Sequence, residues 1–161
     1  MKRRSHEEAP QGLTLTTTEE AKEFAAATGI DILAPAVGNT HGLSRSMIRG
    51  EAQKRLDIDR IAEIRKATGL FMTLHGASGT NDDDLSRAIQ AGITEIHINT
   101  EVRLAWRRGL EAAMVSDPDQ VVPYKLLPAA VDAMKQVVSA RLLLFNGRSK
   151  RAQKNLEYRQ E

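Results

Sequence analysis

The chain has 161 residues and a formal net charge of +2, from 23 basic and 21 acidic side chains, with no cysteine. That length gives one domain a real core, yet is short of the ~250 residues typical of a closed (β/α)8 barrel. Disulfides and thiolate metal sites are excluded, and no apolar run approaches the ~18 residues of a membrane-spanning helix, so a soluble, cytoplasmic protein is expected.

The basic excess sits at the ends, in Met1–Arg4 and Arg148–Lys154. No aromatic residues interleave with those charges, so they read as solvated tails, with neither nucleic acid nor membrane as partner. Residues 1–16 are polar and aperiodic, a flexible leader. Thr17 to Glu20 has the form of a capping box and opens a helix through Ala27, which Gly29 ends. Ile30–Val37 reads as the first strand, with Pro35 removing a ladder donor near its end. The turn Gly38-Asn-Thr-His41-Gly42 follows, then a polar stretch from Leu43 to Arg55 without periodicity, read as a long loop.

Asp57 caps the next helix, with Ile58, Ile61, Ile64 and Ala67 on one face and Gly69 at its end. Leu70-Phe-Met-Thr-Leu74 is apolar on both faces, as a strand covered on both sides should be. His75 stands at its carboxyl end, before the small-residue turn Gly76-Ala-Ser-Gly79 and a helix capped by Asn81 and ended by Gly92. Thr94–Thr100 is the third strand, and Thr100 can cap a helix with Leu104, Trp106, Leu110 and Met114 on its apolar face. Pro123 and Pro128 bracket a turn before a last helix, Ala129 to Phe145, striped by Val131, Met134, Val138, Leu142 and Phe145. Strand and helix alternating three times argues an α/β fold with a parallel sheet and right-handed crossovers.

Three of the four histidines, His41, His75 and His97, fall at or near consecutive strand ends, 34 and 22 residues apart. Side chains from neighbouring parallel strand ends converge on one rim, and neutral imidazole is a preferred ligand for zinc, so the three could share an ion. The bland alternative is three histidines that merely hydrogen-bond there. Gly42, Gly76, Ser78 and Gly79 make glycine-flanked turns beside two of the imidazoles, and Asn99-Thr100 adds an amide, a hydroxyl and a helix N-terminus. Turns of this kind hold phosphate at the ends of barrel strands. Ser78 as a nucleophile with His75 as its base is disfavoured, because residues three apart around a tight turn rarely align and no buried acid is evident as orienter.

Gly38-Asn-Thr-His41-Gly42, Leu74-His75-Gly-Ala-Ser-Gly79 and His97-Ile-Asn99-Thr100-Glu101 resemble, in order and spacing, three motifs of the class II, metal-dependent ketose-bisphosphate aldolases, with fructose-bisphosphate aldolase the nearest member. The likeness runs from about Glu19 to Phe145. It implies a partial (β/α)8 TIM barrel: about the last three βα units plus the C-terminal helices, spanning residues 17–146, with 147–161 a basic polar tail. It implies zinc as cofactor, held by His41 and His75, and phosphate or substrate contacts from Gly42, Arg45, Gly76, Ser78, Asn99 and Thr100. The activity implied is reversible aldol cleavage of fructose 1,6-bisphosphate to dihydroxyacetone phosphate and glyceraldehyde 3-phosphate, a step of glycolysis and gluconeogenesis, with zinc as Lewis acid.

The chain also departs from that pattern. The family's third histidine ligand and its adjacent aspartate, the general acid/base, have no counterpart before Glu19. His97 stands where many members have asparagine, Asn99 where many have aspartate, Arg45 in place of a lysine and Tyr124 in place of an arginine. The expectation is therefore a C-terminal aldolase fragment that binds zinc weakly. Alternatives are a non-catalytic half-barrel that self-associates or pairs with an N-terminal half-barrel, an aldolase for another ketose bisphosphate such as tagatose bisphosphate, or a small flavodoxin-like domain.

Overall fold

The computed structural model describes residues 14–147; positions 1–13 of the leader expected at 1–16, and 148–161 of the basic tail expected at 147–161, lie outside the described residues. Two compact units divide the chain, Met1–Ile98 and Asn99–Glu161.

The first unit is built on a parallel sheet of β1 (Ile32–Leu33), β2 (Phe71–Leu74) and β3 (Ile93–Ile96), in that spatial order. Leu33 pairs with Met72, and Leu74 with Ile96, across a register irregularity between Met72 and Thr73. Helices α1 (Thr18–Thr28), α3 (Ile58–Thr68) and α4 (Asp82–Ala91) pack in sequence, α1 on α3 and α3 on α4. A single helical turn, α2 (Arg45–Ile48), lies between β1 and α3. The core comprises Leu33 and Val37, Ile61 and Ile64 of α3, Met72 and Leu74 of β2, Leu85 and Ala88 of α4, and Ile93. Burying each of the large aliphatics contributes roughly 1.5–3 kcal/mol, which decides the order of these layers far more than helix propensity does.

The local signals act as their chemistry dictates. Thr17 and Glu20 form the reciprocal capping box of α1, and the Asp57 and Asn81 side chains accept backbone N–H groups at the starts of α3 and α4. Gly29 and Gly69 close α1 and α3 in left-handed conformation.

Some boundaries differ from the expected ones. β1 keeps only two ladder residues, because beyond Leu33 the chain turns to other partners. Ala36 exchanges hydrogen bonds with Thr16, and the Val37 carbonyl accepts from the Asp57 N–H. Pro35, with no N–H to offer the ladder, sits buried at that change of partner. Phe71 is exposed rather than covered on both faces; it opens β2 and carries the Arg65 guanidinium 5.5 Å above its ring. The stretch from Leu43 to Arg55 contains α2, capped by the Ser44 hydroxyl, and then a segment in which Lys54 bridges in parallel to Thr80.

The second unit is a helix pair, α5 (Thr100–Ser116) and α6 (Pro123–Phe145). Their close crossing depends on Gly109, where a Cβ would lie 2.6 Å from the Ala129 carbonyl oxygen and 2.8 Å from the Ala130 Cα. An ion pair between Arg141 and Glu101, 2.7 Å and largely shielded, joins the other end. Thr100 is the first residue of α5 rather than its cap, and Asn99 takes the cap position without a side-chain bond. α6 begins at Pro123, which suits a first helical position, and it runs through Pro128 instead of starting after it. The expected apolar stripes stay largely uncovered: Trp106, Met114, Val131, Val138 and Leu142 are all exposed. No described helix is long and apolar enough to cross a membrane.

Candidate metal and phosphate site

Two turns at adjacent strand ends are locked together in the first unit. Gly76 has φ +67°, and a Cβ there would stand 2.4 Å from the Thr40 carbonyl oxygen, so only glycine allows this approach. Asn39 ties the same turns from above. Its carbonyl oxygen accepts the Val37 N–H at 2.8 Å, and its amide donates to the His75 carbonyl at 2.9 Å. Beyond β3 the chain continues the pairing: the His97 N–H donates to the Leu74 carbonyl, and the Ala77 N–H to the His97 carbonyl.

The consequence is a row of imidazoles. The His41 and His75 ring centroids are 6.1 Å apart, and those of His75 and His97 are 4.4 Å apart, nearly perpendicular. His75 Nδ1 and His97 Nδ1 are 3.0 Å apart, and His97 Nε2 lies 2.7 Å from a Glu95 carboxylate oxygen. The Thr73 hydroxyl donates to the other Glu95 oxygen at 2.8 Å. The His97 ring first, and then the Thr73 hydroxyl, hold the Glu95 carboxyl below its ordinary value, so it is ionised at neutral pH.

An ionised Glu95 only accepts, which fixes the tautomers along the row. As a neutral imidazole, His97 donates from Nε2 and its Nδ1 carries a lone pair. His75 then donates from Nδ1, and its own Nε2 is left with a lone pair. A histidine whose second nitrogen is held this way is prepared as a metal ligand or base. His97 itself has both ring nitrogens engaged, so the three-histidine ligand set reduces to His41 and His75, with His97 supporting His75.

These two imidazoles are chemically suited to zinc, and 6.1 Å between centroids lets two rings share an ion at the usual Zn–N distance of about 2.0–2.1 Å. Among the described residues, no group of three or more His, Cys, Asp or Glu side chains could hold an ion. A catalytic zinc normally has about three protein ligands, so the donor set present is a partial one.

The candidate phosphate residues separate into groups. Gly42, Gly76 and Ser78 are in the two turns, all three with their carbonyl oxygens toward one cation. Arg45 opens α2 with its side chain exposed. Asn99 and Thr100 belong to the second unit.

Two participants were not anticipated from the sequence. Lys54, in the segment read as loop, is buried and directs its ammonium at the turn carbonyls. Nothing in the local pattern marks it. Glu95 could have been found, since residues two apart in a strand share a face and His97 is two positions on. Below the turns, the buried Asp84 accepts two bonds from Arg55, at 2.7 and 3.0 Å, and one from the Leu56 N–H at 3.0 Å. The Arg55 guanidinium beside Asp84 holds its carboxyl below the usual range against the opposing effect of burial.

An α/β unit with paired His-Gly turns at adjacent parallel strand ends thus brings two imidazoles together on one rim. A family model for class-II fructose-bisphosphate aldolase matches residues 2–150, and the chain belongs to that family. Solved structures agree. The chain is similar to the YdjI aldolase from Escherichia coli K12 at 32% identity and TM-score 0.67, covering 84% of this chain and 47% of that one. It is similar to a Coccidioides immitis protein proposed to be a fructose-1,6-bisphosphate aldolase at 30% identity and TM-score 0.65, covering 84% and 45%. Fructose-bisphosphate aldolase from Campylobacter jejuni shares the fold at 16% identity and TM-score 0.66, covering 82% and 44%. The chain thus spans about half the length of the solved relatives it matches.

Proposed function

We propose that this chain carries one half of a class II aldolase centre, a lyase site for the reversible aldol cleavage of fructose 1,6-bisphosphate. The observation that carries the reading is the row of contacts from Glu95 through His97 to His75, with the His75 ring 6.1 Å from that of His41. In this reading the parallel strands are part of a (β/α)8 barrel whose relatives are about twice as long. His41 and His75 hold zinc. The ion, when bound, supplies Lewis-acid polarisation of a substrate carbonyl.

The chain's own residues orient and bind. His97 and Glu95 fix the His75 ring, and Gly76 with Asn39 fixes the distance between the two turns. Because the C=O and N–H of a trans peptide point in opposite directions, the inward carbonyls of Thr40 and Gly42 turn the N–H groups of His41 and Leu43 to the other side of their loop. Those outward amides, with Gly42, Gly76, Ser78 and the Arg45 guanidinium, are the proposed phosphate cradle of a phosphorylated ketose or dihydroxyacetone phosphate; Asn99 and Thr100 remain proposed substrate contacts on the family resemblance alone. The third metal ligand and the general acid/base come from another segment or chain.

A second copy or an N-terminal half-barrel is the proposed partner. Among the described residues β1 and β3 each pair only with β2, so both sheet edges are open. Self-association at tens of micromolar is expected, and a monomeric mass throughout that range by light scattering would argue against it.

The deciding assay is fructose 1,6-bisphosphate cleavage with added zinc, with chelator, and in His75→Ala. Zinc-dependent turnover lost in the variant means that the missing groups are supplied by a neighbouring subunit. Absence of turnover with the chain alone, restored by an N-terminal aldolase half, fits a half-site. Absence of turnover even then sinks the reading.

A further inference from the structure

Five asparagines occur in the chain, and one of them, Asn146, is followed by glycine. It forms the C-cap of α6 and is exposed to solvent. Its backbone N–H donates to the Leu142 carbonyl at 3.1 Å, and its side-chain amide donates to the same oxygen at 2.7 Å. The Gly147 N–H donates to the Leu144 carbonyl at 3.0 Å. Gly147 has φ +65°, and nothing lies within 4 Å of the place a Cβ would take.

An asparagine amide is open to attack by the backbone nitrogen of the next residue, and a side chain on that residue obstructs the approach. Glycine has none. The Gly147 nitrogen gives its proton to solvent and bonds to the Asn146 Cγ, the Cγ–Nδ2 bond breaks, and ammonia leaves. Water then opens the cyclic imide at either carbonyl, giving aspartate or isoaspartate. Asn39 and Asn99 are each followed by a β-branched threonine, and Asn81 by aspartate. The amides of Asn39 and Asn81 are also held by residues distant in sequence, His75 and Gln53.

In the capped helix the attacking N–H is engaged by Leu144 and the leaving amide by Leu142. Both acceptors belong to the last turn of the same helix, and helix ends open at little cost in free energy. We propose that Asn146 is a self-modification site: the α6 cap holds it intact, and it converts to aspartate and isoaspartate, with loss of ammonia, when the last turn opens. The change runs one way. Its product loses the Nδ2 donor to Leu142 and puts a carboxylate at the negative end of the helix dipole. Isoaspartate also inserts a methylene into the backbone, which displaces the Gly147 N–H from Leu144. Conversion therefore uncaps α6, independently of zinc at His41 and His75.

The test incubates the full chain at mildly alkaline pH, in buffer and in urea, and follows each asparagine by peptide mass spectrometry, with isoaspartate read by enzymatic methylation. In buffer Asn146 should convert several-fold faster than Asn39, Asn81 or Asn99, and urea should speed it several-fold further. Conversion in buffer no faster than at those three, or a rate unchanged by urea, overturns the proposal. Gly147→Ala separates the chemistry from the cap. In urea, where no cap remains, it should slow conversion of Asn146 several-fold, and an undiminished rate there overturns the Gly147 nitrogen as the attacking atom. Asn146→Asp stands for the product and should lose the far-ultraviolet circular-dichroism signal of about one helical turn, ~4 residues. Full parental helicity in that variant overturns the uncapping.

Discussion

Replacing Gly76 with alanine tests whether the two His-Gly turns meet as closely as described. The position has φ +67°, and a Cβ would sit 2.4 Å from the Thr40 carbonyl oxygen and 2.7 Å from its carbon. Left-handed backbone costs an alanine roughly 1–2 kcal/mol. Relieving the contact must then push the Thr40 carbonyl outward, and that carbonyl is already held at 2.5 Å by Lys54. Weakening one hydrogen bond to a charged group adds about 1.5–3 kcal/mol. The total, about 2.5–5 kcal/mol, corresponds to a fall in Tm of roughly 5–20 °C at ~2–4 °C per kcal/mol for a chain of this size. Gly29→Ala is the internal control: its φ is +65°, with nothing within 4 Å of the added Cβ. It carries the backbone strain alone, about 1–2 kcal/mol. Circular-dichroism melts of both variants at one pH and salt suffice. Equal losses at the two positions would refute the close approach of the turns and, with it, the grouping of His41 with His75.

The remaining predictions concern the groups around those turns. His97→Phe removes the partner that fixes the His75 tautomer and should lower zinc affinity by about 10–100-fold, measured by chelator competition; unchanged affinity would separate the two rings functionally. Zinc binding by the parent chain alone should be weak, and a tight one-to-one complex of the monomer by titration calorimetry would contradict a two-imidazole site. Asp84 has its carboxyl lowered by Arg55, so its stabilisation is present above its ordinary value of 3.8 and is lost as pH falls below that toward the folded-state value. Asp84→Asn should cost about 1–3 kcal/mol at pH 7 and close on the parent chain as the pH falls below the folded-state value; a gap that persists there in urea titrations would implicate shape rather than charge. The Thr80 hydroxyl is buried without a hydrogen-bond partner, so Thr80→Val should raise Tm by a few degrees, at about 1 kcal/mol of relieved desolvation; a fall would mean that the hydroxyl is satisfied in solution.

The elements that could be read in advance were those whose signal is local. Thr17, Asp57 and Asn81 cap helices because a side-chain oxygen reaches a backbone N–H three residues on or nearer, and Gly29 and Gly69 end helices through their own backbone freedom. What escaped was decided by distant parts of the chain. Residues 34–37 look like strand, yet Thr16 and Asp57 compete for their backbone groups and win where Pro35 breaks the ladder. Pro128 reads as a stop, yet α6 starts early enough, at Pro123, to run across it. The stripes of α5 and α6 follow helical periodicity faithfully, but periodicity says which face is apolar and not what covers it.

The same division runs through the site. His41 and His75 were visible because each is followed by a glycine after an apolar run, a local pattern with a direct physical meaning at strand ends. Their mutual distance was not, because it is set by Gly76 against Thr40, by Asn39, and above all by Lys54, 13 and 21 positions away in sequence from the two histidines. A lone lysine in a polar stretch carries no sign of burial, since lysine is almost never buried unless its charge is met. It is met here because two separate turns present carbonyls to one point, and the ammonium in turn helps to fasten those turns together. The dependence is mutual, so a change in either turn should register at both histidines. The two imidazoles stay on separate loops, while the distance between them is held by the Asn39 amide and the Lys54 ammonium on backbone carbonyls of the turns.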